Sequence, residues 1–222
     1  MNTQQMWATR VTLNPRSPHT RELLADPHVM HGFTMRAFSG TDRNTARADN
    51  KVLWRADTHH GTPVITIQAC ISFDPQAWVG HSAVDSVTEP VDLAARFAGR
   101  TKSGSQWRFL TRVCATTVRS VPGSARGTRT PITDHEALTE WLIRQSRGAF
   151  SLAVDDLWGG VDVAIDSEGP VVSSSKGATL NSTAVRGVLD VQDPDRFVQV
   201  LSTGLGRGRA YGFGLLHAVP AA

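Results

Sequence analysis

The chain has 222 residues, with 23 Lys+Arg, 20 Asp+Glu and a formal net charge of only +3 at pH 7. Its 40% hydrophobic and 19% charged content is that of a folded protein and excludes a disordered one. Two cysteines exclude a disulfide scaffold and a Cys-rich zinc module; the chain shows neither a basic-then-apolar leader nor an apolar run near the ~20 residues of a membrane span, so a cytoplasmic protein with no membrane contact is expected.

Residues 7–13 alternate, with Trp7, Val11 and Leu13 on one face, and predict a first strand. Ser17-Pro18 has the cap and first-position chemistry of a helix start, and Asp26-Pro27 repeats it, restarting a helix that runs to about Phe38. Residues 51–57 and 62–70 predict two strands joined by His59-His60-Gly61, and 93–97 a short helix. Residues 106–116 predict a long strand with Trp107, Phe109 and Val113 on its apolar face and Arg108, Leu110 and Arg112 on the other. Residues 120–131, rich in Gly, Ser, Arg and Pro, predict a boundary or basic loop.

Beyond it, Thr133 and Glu136 have capping-box spacing before a helix over 134–146. Strand patterns follow at 150–158, 169–175 and 180–191. Asp193-Pro194 then opens a last helix, and a glycine-dense run leads to a final strand over 213–219. The order predicts an α+β fold of two tandem ferredoxin-like (RRM-like) βαββαβ units, at 1–121 and 132–222. Cys70 and Cys114 fall in strands and are expected in the core.

Charge is segregated along the chain. Residues 101–130 hold Lys102, Arg108, Arg112, Arg119, Arg126 and Arg129 and no acid. Only three of the 23 basic residues are lysine, and arginine's planar fork suits phosphate. The run 204–216 contains Gly204, Gly206, Gly208, Gly212 and Gly214 with Arg207 and Arg209, again without an acid. Glycine lets backbone N–H groups approach phosphates closely, so Gly206, Arg207, Gly208 and Arg209 are expected to contact RNA or phosphate. A dinucleotide fingerprint would follow a strand and open a helix, whereas this run follows a helix and enters a strand. It also lacks the Lys-Ser/Thr of a P-loop.

The run from Gly204 to Pro220, with Gly214-Leu215-Leu216, resembles the C-terminal glycine-rich signature of CRISPR-associated endoribonucleases that process CRISPR RNA, in particular the CasE subtype of Cascade complexes. Residues 7–15 are similar to the family's opening strand, Asp26-Pro27-His28-Val29-Met30-His31 to its catalytic helix, 107–112 to its Arg-bearing strand and 173–189 to its basic hairpin. The resemblance implies tandem ferredoxin-like domains. It also implies binding of the CRISPR repeat stem-loop, metal-independent cleavage at the 3′ base of the stem, and retention of the product with other Cascade subunits.

By the resemblance His31 is the catalytic histidine. His28, where relatives can carry tyrosine, either shares acid and base duties with it or hydrogen-bonds the phosphate. Lys176, in the hairpin turn, approaches the stem and the cut. A-form RNA is recognised by shape and phosphate, so Arg36, Arg119, Arg126 and Arg129 are expected to touch the backbone. Neither the His28/His31 pair nor His59-His60 has further ligands at recognisable spacing, so no metal or small-molecule cofactor is expected. The alternative is a non-catalytic RNA-binding subunit with tandem RRM-like domains.

Overall fold

The computed structural model describes residues 5–38, 46–120, 127–154 and 160–221. The first sheet starts at β1 (Trp7–Leu13), followed by helices α1 (Pro18–Ala25) and α2 (Pro27–Thr34), a 3-10 turn at Met35–Phe38, and the short α3 (Ala46–Asp49). Then come β2 (Leu53–His59), β3 (Thr62–Ala69), a 3-10 turn at Pro75–Trp78, β4 (Val84–Val87), β5 (Val91–Asp92) and α4 (Leu93–Phe97). The strands order as β2-β3-β1-β4, with β5 also on β1. All these pairings are antiparallel. Val11, Leu13, Ile65 and Ile67 point from the sheet into a core closed by Met30 and Phe33 of α2 and by Trp78. The indole of Trp78 donates to the Phe33 carbonyl (2.9 Å).

The second sheet begins at β6 (Gln106–Val113). It is followed by the hairpin β7 (Thr116–Arg119) and β8 (Thr128–Pro131), helix α5 (His135–Ser146), β9 (Phe150–Leu152), β10 (Val163–Ser173), β11 (Ala178–Val191), helix α6 (Pro194–Thr203) and β12 (His217–Pro220). Strand order is β10-β11-β6-β12, with β9 on β11. Trp107, Phe109, Val185 and Leu189 meet Leu138 and Trp141 of α5 and Phe197 and Leu201 of α6. Phe97, Trp107, Phe197 and Phe150 stack edge-on in series, with centroids 5.3, 5.5 and 6.2 Å apart. Each such pair contributes about 0.5–1.5 kcal/mol beyond area burial. Each sheet thus has the strand order of a ferredoxin-like unit, as the element order predicts.

The boundary expected at 121 leaves residues 106–113 in the first unit, and the strand pairing does not follow it. β6 pairs with β11 from Thr183↔Val113 to Asp190↔Gln106 and with β12 on its other edge. The fourth strand of the first sheet is instead the short, little-buried Val84–Val87. Its weak hydrophobic alternation hides it beside the clearer pattern of 106–113. Helix α4 forms as expected but joins the sheets: Leu93 N–H donates to Met6 O (2.7 Å), and Leu93, Ala94 and Phe97 pack on the second core.

Two caps differ from the sequence reading. Asp134, not Thr133, caps α5 by accepting from Ala137 N–H (2.8 Å), and Ser17 stands at the start of α1 without a side-chain bond. The last strand starts only at His217, because Gly214 is turned inward: its N–H donates to Arg112 O (2.7 Å) and its carbonyl accepts from Leu205 N–H (2.8 Å). Cys114 is buried and Cys70 half-buried. No helix among the described residues is long and apolar enough to cross a membrane.

Candidate active site

Helix α2 is short, so its orientation depends on its ends. Pro27 occupies the first turn and Asp26 accepts from the His28 N–H (2.8 Å), satisfying a donor with no partner inside the helix. Pro27, Met30, Phe33 and Thr34 are buried. His28 and His31, one residue further round, form a half-buried stripe along the edge of that face, while Val29, Gly32 and Arg36 are exposed. The sequence pair at i,i+3 therefore stands on one side of the helix, at the border between core and solvent.

His31 is pushed down to a pKa of about 4, chiefly by burial and then by the positive charge of Arg47 and by His28. Its Nδ1 is buried and has no hydrogen-bond partner among the described residues. It is therefore a neutral imidazole at pH 7, able to accept a proton.

Two other elements converge on α2. The first is the β10–β11 hairpin, whose turn delivers Ser173 Oγ to Asp26 Oδ1 (2.9 Å). The same turn places Ser174 Oγ (3.1 Å), Ser175 N (3.1 Å) and Ser175 Oγ (2.9 Å) on Asp26 Oδ2. Burial pushes the Asp26 carboxyl up, but the N–H groups of His28 and Ser175 and the hydroxyls of Ser175 and Ser173 outweigh it and hold the group well below the usual carboxylate range. One carboxylate thus caps the histidine helix and pins the turn carrying Lys176, which is itself exposed. Asp26 was legible only as a cap; three serines facing it across 147 residues of chain leave no local signal.

The second element is the glycine run. Its 3-10 turn, Arg209–Tyr211, packs on α2 and β2, and Trp54 Nε1 donates to Ala210 O (3.2 Å). The glycines are accounted for by close packing. At Gly212 (φ +84°) a Cβ would stand 2.6 Å from the Trp54 ring. Gly206 backs onto Trp141 and Gly208 onto Phe213, so neither lies open as a bare phosphate cradle. Arg207 bridges Cys114 through its backbone. Arg209 is half-buried, feels the positive charge of Arg47 and Arg147, and has its Nε buried without a partner among the described residues.

The remaining predicted residues are dispersed. Arg36 lies over the Phe33 ring at 5.9 Å. Arg119 and Arg129 are exposed on the separate β7–β8 hairpin, where Val118 pairs with Arg129. Arg126 lies outside the described residues. Arg112, from the acid-free segment, is neutralised across the sheet: it donates to both Glu168 oxygens (2.6 and 2.9 Å) and to Ala56 O (3.1 Å), tying the two sheets together. No three His, Cys, Asp or Glu side chains gather into a metal-binding group among the described residues.

With this geometry, the comparisons with known proteins are specific. The family model described as "CRISPR associated protein" matches residues 6–220. The chain belongs to this CRISPR-associated protein family. It is 29% identical over 224 residues to the CRISPR-associated endoribonuclease Cse3 of Thermus thermophilus, an alignment covering 97% of this chain and all of the relative. It also resembles Thermus thermophilus Cse3 bound to an RNA representing a pre-cleavage complex, with TM-score 0.82, 28% identity and coverage of 97% of this chain and 100% of that one. Cas6e from Escherichia coli K-12, at 17% identity and TM-score 0.66 over 96% of this chain and 99% of that one, has the same fold.

Proposed function

We propose that this protein is a metal-independent endoribonuclease of CRISPR RNA maturation that acts in the cytoplasm. It binds the repeat stem-loop, cuts at the 3′ base of the stem, and keeps the product in a complex with other Cascade subunits. The observation that carries the reading is the convergence on α2: a neutral, half-buried His31, a hairpin bearing Lys176 and latched at Asp26, and a glycine-rich turn bearing Arg209. That the Thermus relative is an endoribonuclease with RNA-bound structures supports it.

In this reading His31 takes the proton from the 2′-hydroxyl beside the scissile phosphate. The 2′-oxygen attacks phosphorus as the bond to the 5′-oxygen breaks, and the 5′-oxygen leaves with a proton from His28. The products are a 2′,3′-cyclic phosphate and a 5′-hydroxyl. Lys176 and Arg209 offset the charge gathering on the phosphorane, a role suited to fixed cations in a partly dehydrated site.

Labelled repeat RNA incubated with the protein in EDTA tests this. The expected result is one cut leaving a cyclic or 3′-phosphate end, no cut when the nucleotide 5′ of the scissile phosphate is 2′-deoxy, and a His31→Ala variant that binds but does not cut. Cleavage of the deoxy substrate, a requirement for divalent cation, or a normal rate in His31→Ala would overturn the mechanism. Tight binding without any cut would return the chain to the class of RNA-binding subunits.

A further inference from the structure

A cavity of about 360 Å³ opens between the C-terminal end of α5 and one side of α6, lined by Arg147, Arg196 and Arg209 with Gln145, Gln199 and Thr203. No Asp or Glu lines it among the described residues. Arg196 donates to Arg147 O (3.0 Å) and pairs with Asp193 at 3.2 Å, just outside the cavity. Two helix C-termini, each equivalent to about half a negative charge, and this one carboxylate offset part of three guanidinium groups, and a net positive charge remains. Arg147 is held at φ +53°, a left-handed conformation in which a residue with a Cβ is strained. A glycine would relieve that strain but would remove the cation.

The cavity and the candidate active site share Arg209. Arg209 stands in the turn packed on α2 and feels the positive charge of both Arg47 and Arg147, and His31 in turn feels that of Arg47. Basic groups therefore lead from His31 through Arg47 and Arg209 into the cavity, while the hairpin reaches α2 at Asp26. An RNA held at its stem by the hairpin and cut at the 3′ base of that stem has a single strand continuing beyond His31, with one phosphate per nucleotide. We propose that Arg47, Arg209 and the Arg147–Arg196 cavity bind backbone phosphates of the single-stranded RNA on the 3′ side of the cut. This rests on the endoribonuclease reading for the position of the cut. The uncut substrate then binds more tightly than the product, and the released 3′ fragment, held by phosphate contacts alone, departs readily.

The test is fluorescence anisotropy on the full chain with three stem-loops carrying a 2′-deoxy block: one ending at the cut, one with a 3′ single-stranded flank, one with a 5′ flank. For wild type, the 3′ flank should tighten binding and steepen the slope of log K against log salt by about 0.7 for each phosphate held, so by about 1.4 for two. Arg147→Ala/Arg196→Ala should remove that gain and leave the unflanked stem-loop bound as in wild type. Arg147→Lys/Arg196→Lys, which keeps the charge, should retain most of the slope and so separates lost charge from lost folding. Equal weakening of flanked and unflanked RNA, an effect confined to the 5′ flank, or no effect overturns the inference. If wild type shows the flank effect but never cuts all-ribose RNA, the endoribonuclease reading fails and the phosphate site stands. A wild type with no affinity for any of the three overturns both.

Discussion

Gly214→Ala separates two costs that usually occur together. Gly214 has φ +83°, and a Cβ there would lie 2.2 Å from the carbonyl oxygen of Leu205. Gly80 has nearly the same φ, +80°, but a Cβ there meets nothing within 4 Å. The left-handed backbone alone costs a residue with a Cβ about 1–2 kcal/mol, so Gly80→Ala should cost about that. At Gly214 the overlap is with backbone, which no rotamer can move, and relief requires breaking the Leu205–Gly214 hydrogen bond. Overpacking of about 1–3 kcal/mol and a lost bond of about 0.5–1.5 kcal/mol bring Gly214→Ala to about 2.5–6.5 kcal/mol. That is a large part of a typical domain's stability. Urea unfolding should show a much lower midpoint for Gly214→Ala than for Gly80→Ala at similar slope. The bond to Arg112 O fixes the same turn, so cleavage should fall in Gly214→Ala even at temperatures where it is folded. Equal losses of stability in the two variants would refute this account of the glycine run as a packing device.

The buried, neutral His31 sets two pH dependences. As the proton acceptor it should give kcat/KM an acid limb near pH 4, the value it has in the free protein, while the alkaline side of the profile belongs to the proton donor, His28; a rate that does not fall as pH drops through 4 would exclude His31 as the base. Between its ordinary value of 6.5 and about 4 the unfolded chain takes up a proton that the folded one refuses, so stability should drop as pH falls through that window. His31→Gln should flatten this slope in pH-dependent thermal melts. Asp26→Asn keeps the shape but removes the charge that accepts from His28 and the three serines. Protection of the Ser175 amide from hydrogen exchange should drop, and cleavage should slow by about 10²-fold, the scale set by small misplacements of a catalytic group, with binding of the stem-loop little changed. Unchanged exchange at Ser175 would show that the hairpin is held by something else.

Much of this protein follows from local chemistry. The Asp-Pro pairs at 26–27 and 193–194 start helices wherever they occur, because the carboxylate satisfies orphan N–H donors and proline has none to lose. The alternation of 106–113 specifies a strand with Trp107 and Phe109 inward, whichever sheet receives it. The two half-buried histidines of α2 and the glycine-rich turn were likewise legible, since i,i+3 spacing and glycine content act within a few residues. Only the tertiary structure decided which sheet β6 joins, because strand pairing depends on partners such as β11, some 70 residues away. It also decided which charges stay free. Arg112 looked unopposed along the chain, yet it meets Glu168 across the sheet, whereas Arg209 feels the positive charge of Arg47 and Arg147, which come from two other distant segments. Electrostatic interactions act through space, so a run of like charge in sequence says little until folding sets the neighbours.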